Sequence, residues 1–287
     1  HDGSMPPAGS RLVVCVLAVV SLGCPEGVRE LGVGLFGTGV SWVYVSIHVY
    51  GNAGAGLAAA LTALFCAGLA LLHALQAWIY VRFIRPLPGG MLLGFAALWV
   101  LGEWLRSWLL TGFPWLYLGY AHLDTWIAGW APIFGVYGLS LISALTASCL
   151  FLAWRSRQLV AGLTYAGVVA TLWFGGAVLK PIEWVAPATQ EPLTVALYQP
   201  NIPQERKWDR TYYSSILQQY RAVMPSLYGY DIILWPEAAI PNAFERARDF
   251  LDPLAEQART VDSALITGIP MRPEPDRIYN SIVAMGQ

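Results

Sequence analysis

Apolar residues crowd the first 180 positions of the chain and thin out after them. Five stretches, 31–50, 55–80, 90–110, 128–153 and 158–179, are nearly unbroken runs of aliphatic, aromatic and small residues. Crossing a bilayer as a helix takes about 20 such residues, so each stretch predicts a membrane span. Residues 11–23 are apolar but short, fitting a remnant of a span, a tilted segment or the core of a signal peptide. The ten residues before them, HDGSMPPAGS, read as leader or cloning sequence. Residues 1–30 are therefore taken as an altered or partial N-terminal apolar segment, and 31–180 as a transmembrane helical domain.

The pattern changes at Lys180. Residues 181–192, PIEWVAPATQEP, form a Pro-rich linker. Short apolar runs at Leu193–Gln199, Ile232–Trp235, Ala264–Thr267 and Ser281–Met285 then predict strands. Asp209 can cap a helix running to Leu227, with Ile216, Leu217, Tyr220, Val223 and Met224 on one face. A second helix is predicted over Ala243–Thr260, with a bend at Pro253. The order β-α-β-α-β-β implies an α/β domain over 193–287. No covering helix follows the last strand, so the domain reads as incomplete, with an open apolar sheet face and an open sheet edge.

Composition strengthens the membrane reading. Only 12% of residues are charged and 13 are Trp, whereas a soluble domain carries roughly 25% charge. A net charge of −1 provides no basic patch for nucleic acid. Arg82 and Arg85 lie between the second and third runs, and Arg155 and Arg157 between the fourth and fifth. The alternate loops, 51–54 and 111–127, contain no Lys or Arg. The positive-inside rule then puts the Arg-bearing loops in the cytoplasm and everything after residue 180 on the other side. Cys15, Cys24, Cys66 and Cys149 lie in or beside apolar segments without metal-ligand spacing, and read as small hydrophobes.

Five constellations can carry chemistry. In Leu234-Trp-Pro-Glu-Ala-Ala-Ile-Pro241 an apolar strand ends in a turn that presents Glu237. Ligands of open α/β sheets bind beyond strand carboxyl ends. A carboxylate partly desolvated by Trp235 and Pro236 suits a general base; the simpler reading is a solvated Glu ahead of a helix. In the segment 103–120, Glu103 and Arg106 are three apart on one helix face, where they can pair. Charges inside a membrane usually face a cavity or a partner. Arg106 can hold a lipid phosphate, and Phe113, Trp115, Tyr117 and Tyr120 can hold acyl chains and glycerol; the simpler reading is an aromatic belt with one ion pair. In Ser41–Tyr50, His48 can line an entry to the second domain or simply be hydrogen-bonded. Trp208, in the polar loop 204–209, can be a lid, a membrane-surface contact or a packing residue. Asn280, opening the last strand with Tyr279, can orient Glu237 or close a turn.

Together, VSWVYVSIH (40–48), EWLRSWLLTGFPWLYLGY (103–120), QPNIPQERKWD (199–209), LWPEAAIP (234–241), LITGIP (265–270) and YNSI (279–282) resemble, in order, the bacterial apolipoprotein N-acyltransferase family of the nitrilase superfamily. The resemblance implies a polytopic α-helical membrane bundle bearing a partial nitrilase-like α-β-β-α sandwich domain on the periplasmic side of the bacterial inner membrane. It implies transfer of the sn-1 acyl chain of a phospholipid, preferably phosphatidylethanolamine, to the α-amine of the diacylglyceryl-cysteine of an apolipoprotein. The reaction is ping-pong through a cysteine thioester, with a catalytic Glu, Lys and Cys. Glu237 matches the Glu, Trp208 an aromatic on a mobile arm over the site, and Arg106 and Trp115 residues near the lipid entry. A carboxylate base generates the reactive thiolate, and a covalent intermediate splits the transfer into two steps. No metal or diffusible cofactor is implied.

The family's Lys and Cys have no counterpart here. Lys180 and Lys207, the two lysines of the chain, do not match, and all four cysteines belong to the membrane half. The chain thus reads as a fragment, not expected to turn over alone. Two other classes stay open: a membrane-anchored nitrilase-type amidohydrolase, and a non-catalytic lipid- or lipoprotein-binding membrane protein.

Overall fold

The computed structural model describes residues 32, 34–156, 158–188, 191–274 and 276–286. The readings made for residues 1–30, including Cys15, Cys24 and the apolar 11–23 segment, lie outside the described residues, as does Arg157. The chain divides into two compact units, His1–Ala186 and Pro187–Gln287.

Among the described residues of the first unit, three helical stretches are long and apolar enough to cross a membrane: Ala55–Ile84, Trp126–Arg155 and Leu159–Leu179. Helix α1 (Ala55–Ile79) widens into a π-helical turn at Tyr80–Ile84. Helix α2 (Phe95–Arg106) follows a similar turn at Gly90–Gly94. Helix α3 (Ala131–Arg155) follows a 3-10 turn at Trp126–Trp130 and is broken near its start at Gly135, where φ is 63°. Helix α4 (Leu159–Leu179) buries Gly176 and otherwise presents apolar residues outward, as a helix facing lipid does. Its contact with the turn before α3 is close. A Cβ on Gly129 would lie 2.0 Å from the Gly176 carbonyl oxygen, and Trp130 Nε1 donates to Leu172 O at 2.9 Å.

Two of the five expected spans come out shorter. Helix within 34–39 gives way to turns at 40–42, a single turn at Val43–Val45 and a π turn at Ser46–Tyr50. Leu116 presses on this segment, since a Cβ on Gly39 would stand 2.6 Å from its Cδ1. The hydroxyls of Thr38 and Ser41 donate to the carbonyls of Gly34 and Thr38, a local competition that loosens a helix. The third span ends at Arg106, not 110. Phe113 N takes the Arg106 carbonyl at 2.8 Å, and Gly112, at φ 88°, lets the chain reverse. The stretch from Gly90 to Arg106 rises roughly 25 Å, short of a bilayer core of about 30 Å.

The second unit opens on strand β1 (Val195–Leu197). A four-residue helix α5 (Gln204–Lys207) and a 3-10 turn capped by Asp209 lead into helix α6 (Tyr213–Leu227). Strand β2 (Ile232–Leu234), helix α7 (Phe244–Arg259), and strands β3 (Ala264–Glu274) and β4 (Arg277–Met285) complete it. The sheet order is β1-β2-β3-β4, parallel for the first two pairings and antiparallel for the last.

Both helices pack on one sheet face. Ile216, Tyr220 and Met224 of α6 and Ala247, Phe250, Leu251 and Leu254 of α7 meet Ile233, Leu265 and Ile269. Period-two alternation sends the neighbouring side chains to the opposite face, where Val195, Leu197, Leu234 and Ile282 are exposed. The unit is thus one helical layer on one sheet, the partial α/β architecture expected. The β3–β4 hairpin is longer than the sequence predicts, reaching Glu274 and Arg277. Beyond Ile266, β3 pairs with no strand but β4 among the described residues, so Pro270 and Pro273 break no bond to β2. Helix α7 continues through Pro253.

Candidate active site on the second unit

Strand β2 lies between β1 and β3, all three parallel, so their carboxyl ends converge on one edge of the sheet. The chain leaves β2 in a turn that straps across β3. Trp235 N donates to Ile266 O and Ala239 N to Gly268 O, both at 2.9 Å. Trp235, Ala239 and Ile240 are buried in the core, so both feet of the strap are anchored. Between them Ala238 adopts φ 45°, a left-handed conformation unusual for a residue with a side chain. Gly268 makes room underneath, for a Cβ there would sit 2.7 Å from Glu237 Cα and 3.0 Å from Ala238 N.

The strap lifts Glu237 out of the core. The sequence reading expected a carboxylate partly desolvated by its neighbours; instead Glu237 is exposed, because Trp235 turns into the core and Pro236 is only half-buried. What orients it is Asn280, opposite Pro270 on β4, whose Nδ2 donates to Glu237 Oε1 at 2.5 Å. Lys207 Nζ donates to the main-chain oxygen of Glu237 at 3.0 Å. Partial burial lowers the Lys207 pKa below the ordinary lysine range, while the charge of Glu237 acts to raise it. Trp208, the next residue, is 54% exposed at the end of α5. Asp209 accepts from Thr211 N at 2.9 Å, and bonds from Thr211 hold its carboxyl below the usual range. The structure therefore brings Glu237 and Asn280 together, with Trp208 one residue from a second contact to Glu237. Sequence reasoning missed Lys207, which it set aside because it matched no catalytic lysine. It carried Gly268 only as part of a motif.

Arg106 and Trp115 belong to the first unit. The expected Glu103–Arg106 ion pair does not form. Glu103 Oε1 instead accepts from Trp99 Nε1 at 2.9 Å and from Leu118 N at 2.7 Å. The Arg106 guanidinium lies 5.2 Å from the Phe36 ring centroid and 5.1 Å from that of Tyr117. Its Nη2 reaches Leu116 O at 3.5 Å, and its Nε and Nη1 are buried with no hydrogen-bond partner among the described residues. The shared helix face was legible; the backbone of the following loop, which takes the carboxylate, was not. Trp115 is half-exposed and stacks on Phe113 with centroids 5.1 Å apart. His48 Nδ1 lies 2.8 Å from Ala53 O, the simpler of its two readings. Cys66 and Cys149 are free, and Cys149 is fully buried.

Glu237 thus stands exposed and hydrogen-bonded at the carboxyl edge of the parallel strands, and residues 194–287 match the carbon–nitrogen hydrolase family. Residues 30–149 match the N-terminal domain of apolipoprotein N-acyltransferases. Curated relatives bear that name. The apolipoprotein N-acyltransferase of Pseudomonas syringae pv. tomato is 43% identical over 264 residues, covering 89% of this chain and 52% of its own length. The protein of that name from Coxiella burnetii is 40% identical over 258 residues, with 89% and 53% covered. That of Pseudomonas putida is 40% identical over 294 residues, with 96% and 57% covered. Over most of its length the chain is thus similar to apolipoprotein N-acyltransferases. It spans about half the length of the curated relatives it matches.

Proposed function

We propose that the protein this chain belongs to moves the sn-1 acyl chain of a phospholipid, phosphatidylethanolamine in the first instance, to the α-amine of the diacylglyceryl-cysteine of an apolipoprotein. The observation that carries this reading is the Glu237 carboxylate, held by Asn280 at the sheet edge of a hydrolase-type unit that shares a chain with membrane helices. In the ping-pong scheme a cysteine thiol attacks the sn-1 ester and the lysophospholipid leaves. The acceptor amine then attacks the thioester and the thiol leaves. Glu237 is the base, taking a proton first from the thiol and then from the amine. Asn280 fixes its Oε1 and leaves Oε2 for the proton.

The substrate-binding roles are assigned on the same basis. Two buried guanidinium nitrogens of Arg106 without a hydrogen-bond partner among the described residues favour a phosphate or another anion. Trp115 and Trp208, both half-exposed, offer apolar faces to acyl chains. Residues 31–180 form the transmembrane domain, 181–192 the linker, and 193–287 the first part of the nitrilase-like domain. Arg82, Arg85 and Arg155 support a cytoplasmic side for their loops and a periplasmic side for the second unit, in a bacterial inner membrane.

The test uses the protein as its gene encodes it, in detergent–phospholipid micelles. A phosphatidylethanolamine labelled in the sn-1 chain and a synthetic diacylated lipopeptide are supplied, and the lipopeptide mass is read. The expected product carries one labelled acyl group on its amine. Ammonia released from small amides or nitriles without acyl transfer favours an amidohydrolase. Lipopeptide binding with neither reaction favours a binding protein.

A further inference from the structure

We propose that Lys207 is a positioning residue for Glu237: its ammonium clasps the Glu237 carbonyl, fixing the peptide that carries the base and tying the Trp208 segment to it. The role rests on the reading of Glu237 as the base; the clasp itself rests only on geometry.

The strap from Trp235 to Ala239 has two backbone anchors, Trp235 N on Ile266 O and Ala239 N on Gly268 O. Between them the Glu237 carbonyl has one hydrogen-bond partner among the described residues, Lys207 Nζ at 3.0 Å. The next residue, Ala238, is in the left-handed region, so the peptide between the two residues is the strained link of the strap. With its carbonyl untied, that peptide can rotate, and rotation there swings the Glu237 side chain. Gly268 blocks movement inward, with a virtual Cβ 2.7 Å from Glu237 Cα. Asn280 grips the carboxylate at the far end. Lys207 and Asn280 therefore hold the same residue at its main chain and at its side-chain tip.

The surroundings of Lys207 fit this use. Gln204, Glu205, Arg206, Trp208 and Asp209 are exposed, whereas Lys207 turns inward and is half-buried. Among the described residues it makes no ion pair. An ammonium partly removed from water is costly unless hydrogen-bonded, and a charge-assisted bond to a carbonyl is stronger than a neutral one. Lys207 ends α5, and Trp208 is its capping residue. Loss of the bond therefore releases both the strap and the segment that carries Trp208.

The experiment compares wild type, Lys207→Met and Lys207→Arg in the protein as its gene encodes it. Amide hydrogen exchange is followed in peptides covering 203–212 and 236–242, alongside kcat and KM for phospholipid in the lipopeptide assay. Lys207→Met is expected to speed exchange in both segments by about tenfold. It is also expected to lower kcat by about tenfold while KM moves less than twofold. Lys207→Arg, which keeps the donor and the charge, is expected to restore most of both. Unchanged exchange over 236–242 in Lys207→Met overturns the clasp, as does identical behaviour of the Met and Arg variants. Faster exchange with an unchanged kcat overturns the positioning role. A wild-type protein with no acyl transfer sinks the reading of Glu237 as base, and the exchange arm still decides the clasp.

Discussion

Asn280 spends its amide on one oxygen of Glu237, and that contact separates an orienting residue from a merely adjacent one. Asn280→Leu removes the donor while keeping the bulk. The expected result is a fall in kcat for acyl transfer of about tenfold, with KM for phospholipid little changed, read in steady-state assays. A different pair of carboxylates is held below the usual range. Asp231 accepts from both the backbone nitrogen and the hydroxyl of Thr194, at 2.6 and 2.7 Å, which lowers its pKa from the ordinary 3.8. Asp209 is lowered in the same way by Thr211. A depressed folded-state pKa stabilises at pH values above the unfolded-state one and loses that contribution as pH falls through the folded value. Thermal midpoints of the solubilised protein are therefore expected to drop on acidification below about pH 4. Asp231→Asn is expected to flatten that drop. An identical acid profile in the variant contradicts the assignment.

The turn after β2 works as an element because β3 supplies both its anchors and its clearance. Gly268→Ala places a methyl against Glu237 Cα and Ala238 N. Overpacking of this kind costs about 1–3 kcal/mol. The expected signs are a lower thermal midpoint and a loss of acyl transfer larger than the loss of stability explains. Much at this scale was legible. Short apolar runs located β1 and β2, helical spacing put Ile216, Tyr220 and Met224 into the core, and Asp209 does cap the turn that starts α6. The hairpin was read short because Pro270, Pro273 and Glu274 look like loop, and they stay in a strand because that part of β3 pairs, among the described residues, with β4 alone. In the first unit, hydropathy alone could not see where Leu116 and Phe113 intrude, and so overran the helices at 40 and 106. In the site, Glu237 was visible as the polar end of an apolar strand. Lys207 was not, because nothing in its spacing tells which carbonyl a flexible ammonium will find.

For the whole molecule, the chain joins an apolar helical unit to an α/β unit that keeps one sheet face open, with Leu197 72% and Ile282 79% exposed. Composition and periodicity alone led to that division of labour, since a 12% charge content excludes an ordinary soluble protein while the α/β pattern begins only after the linker. The proposed transfer depends on one residue acting as a base. The measurement is the rate of labelled acyl transfer from phosphatidylethanolamine to a diacylated lipopeptide by Glu237→Gln, against wild type, in the protein as its gene encodes it. Glutamine keeps the shape and the bond to Asn280 but cannot take a proton. A rate lower by about three orders of magnitude is expected for loss of a general base. A Glu237→Gln protein that transfers acyl chains at the wild-type rate contradicts the account.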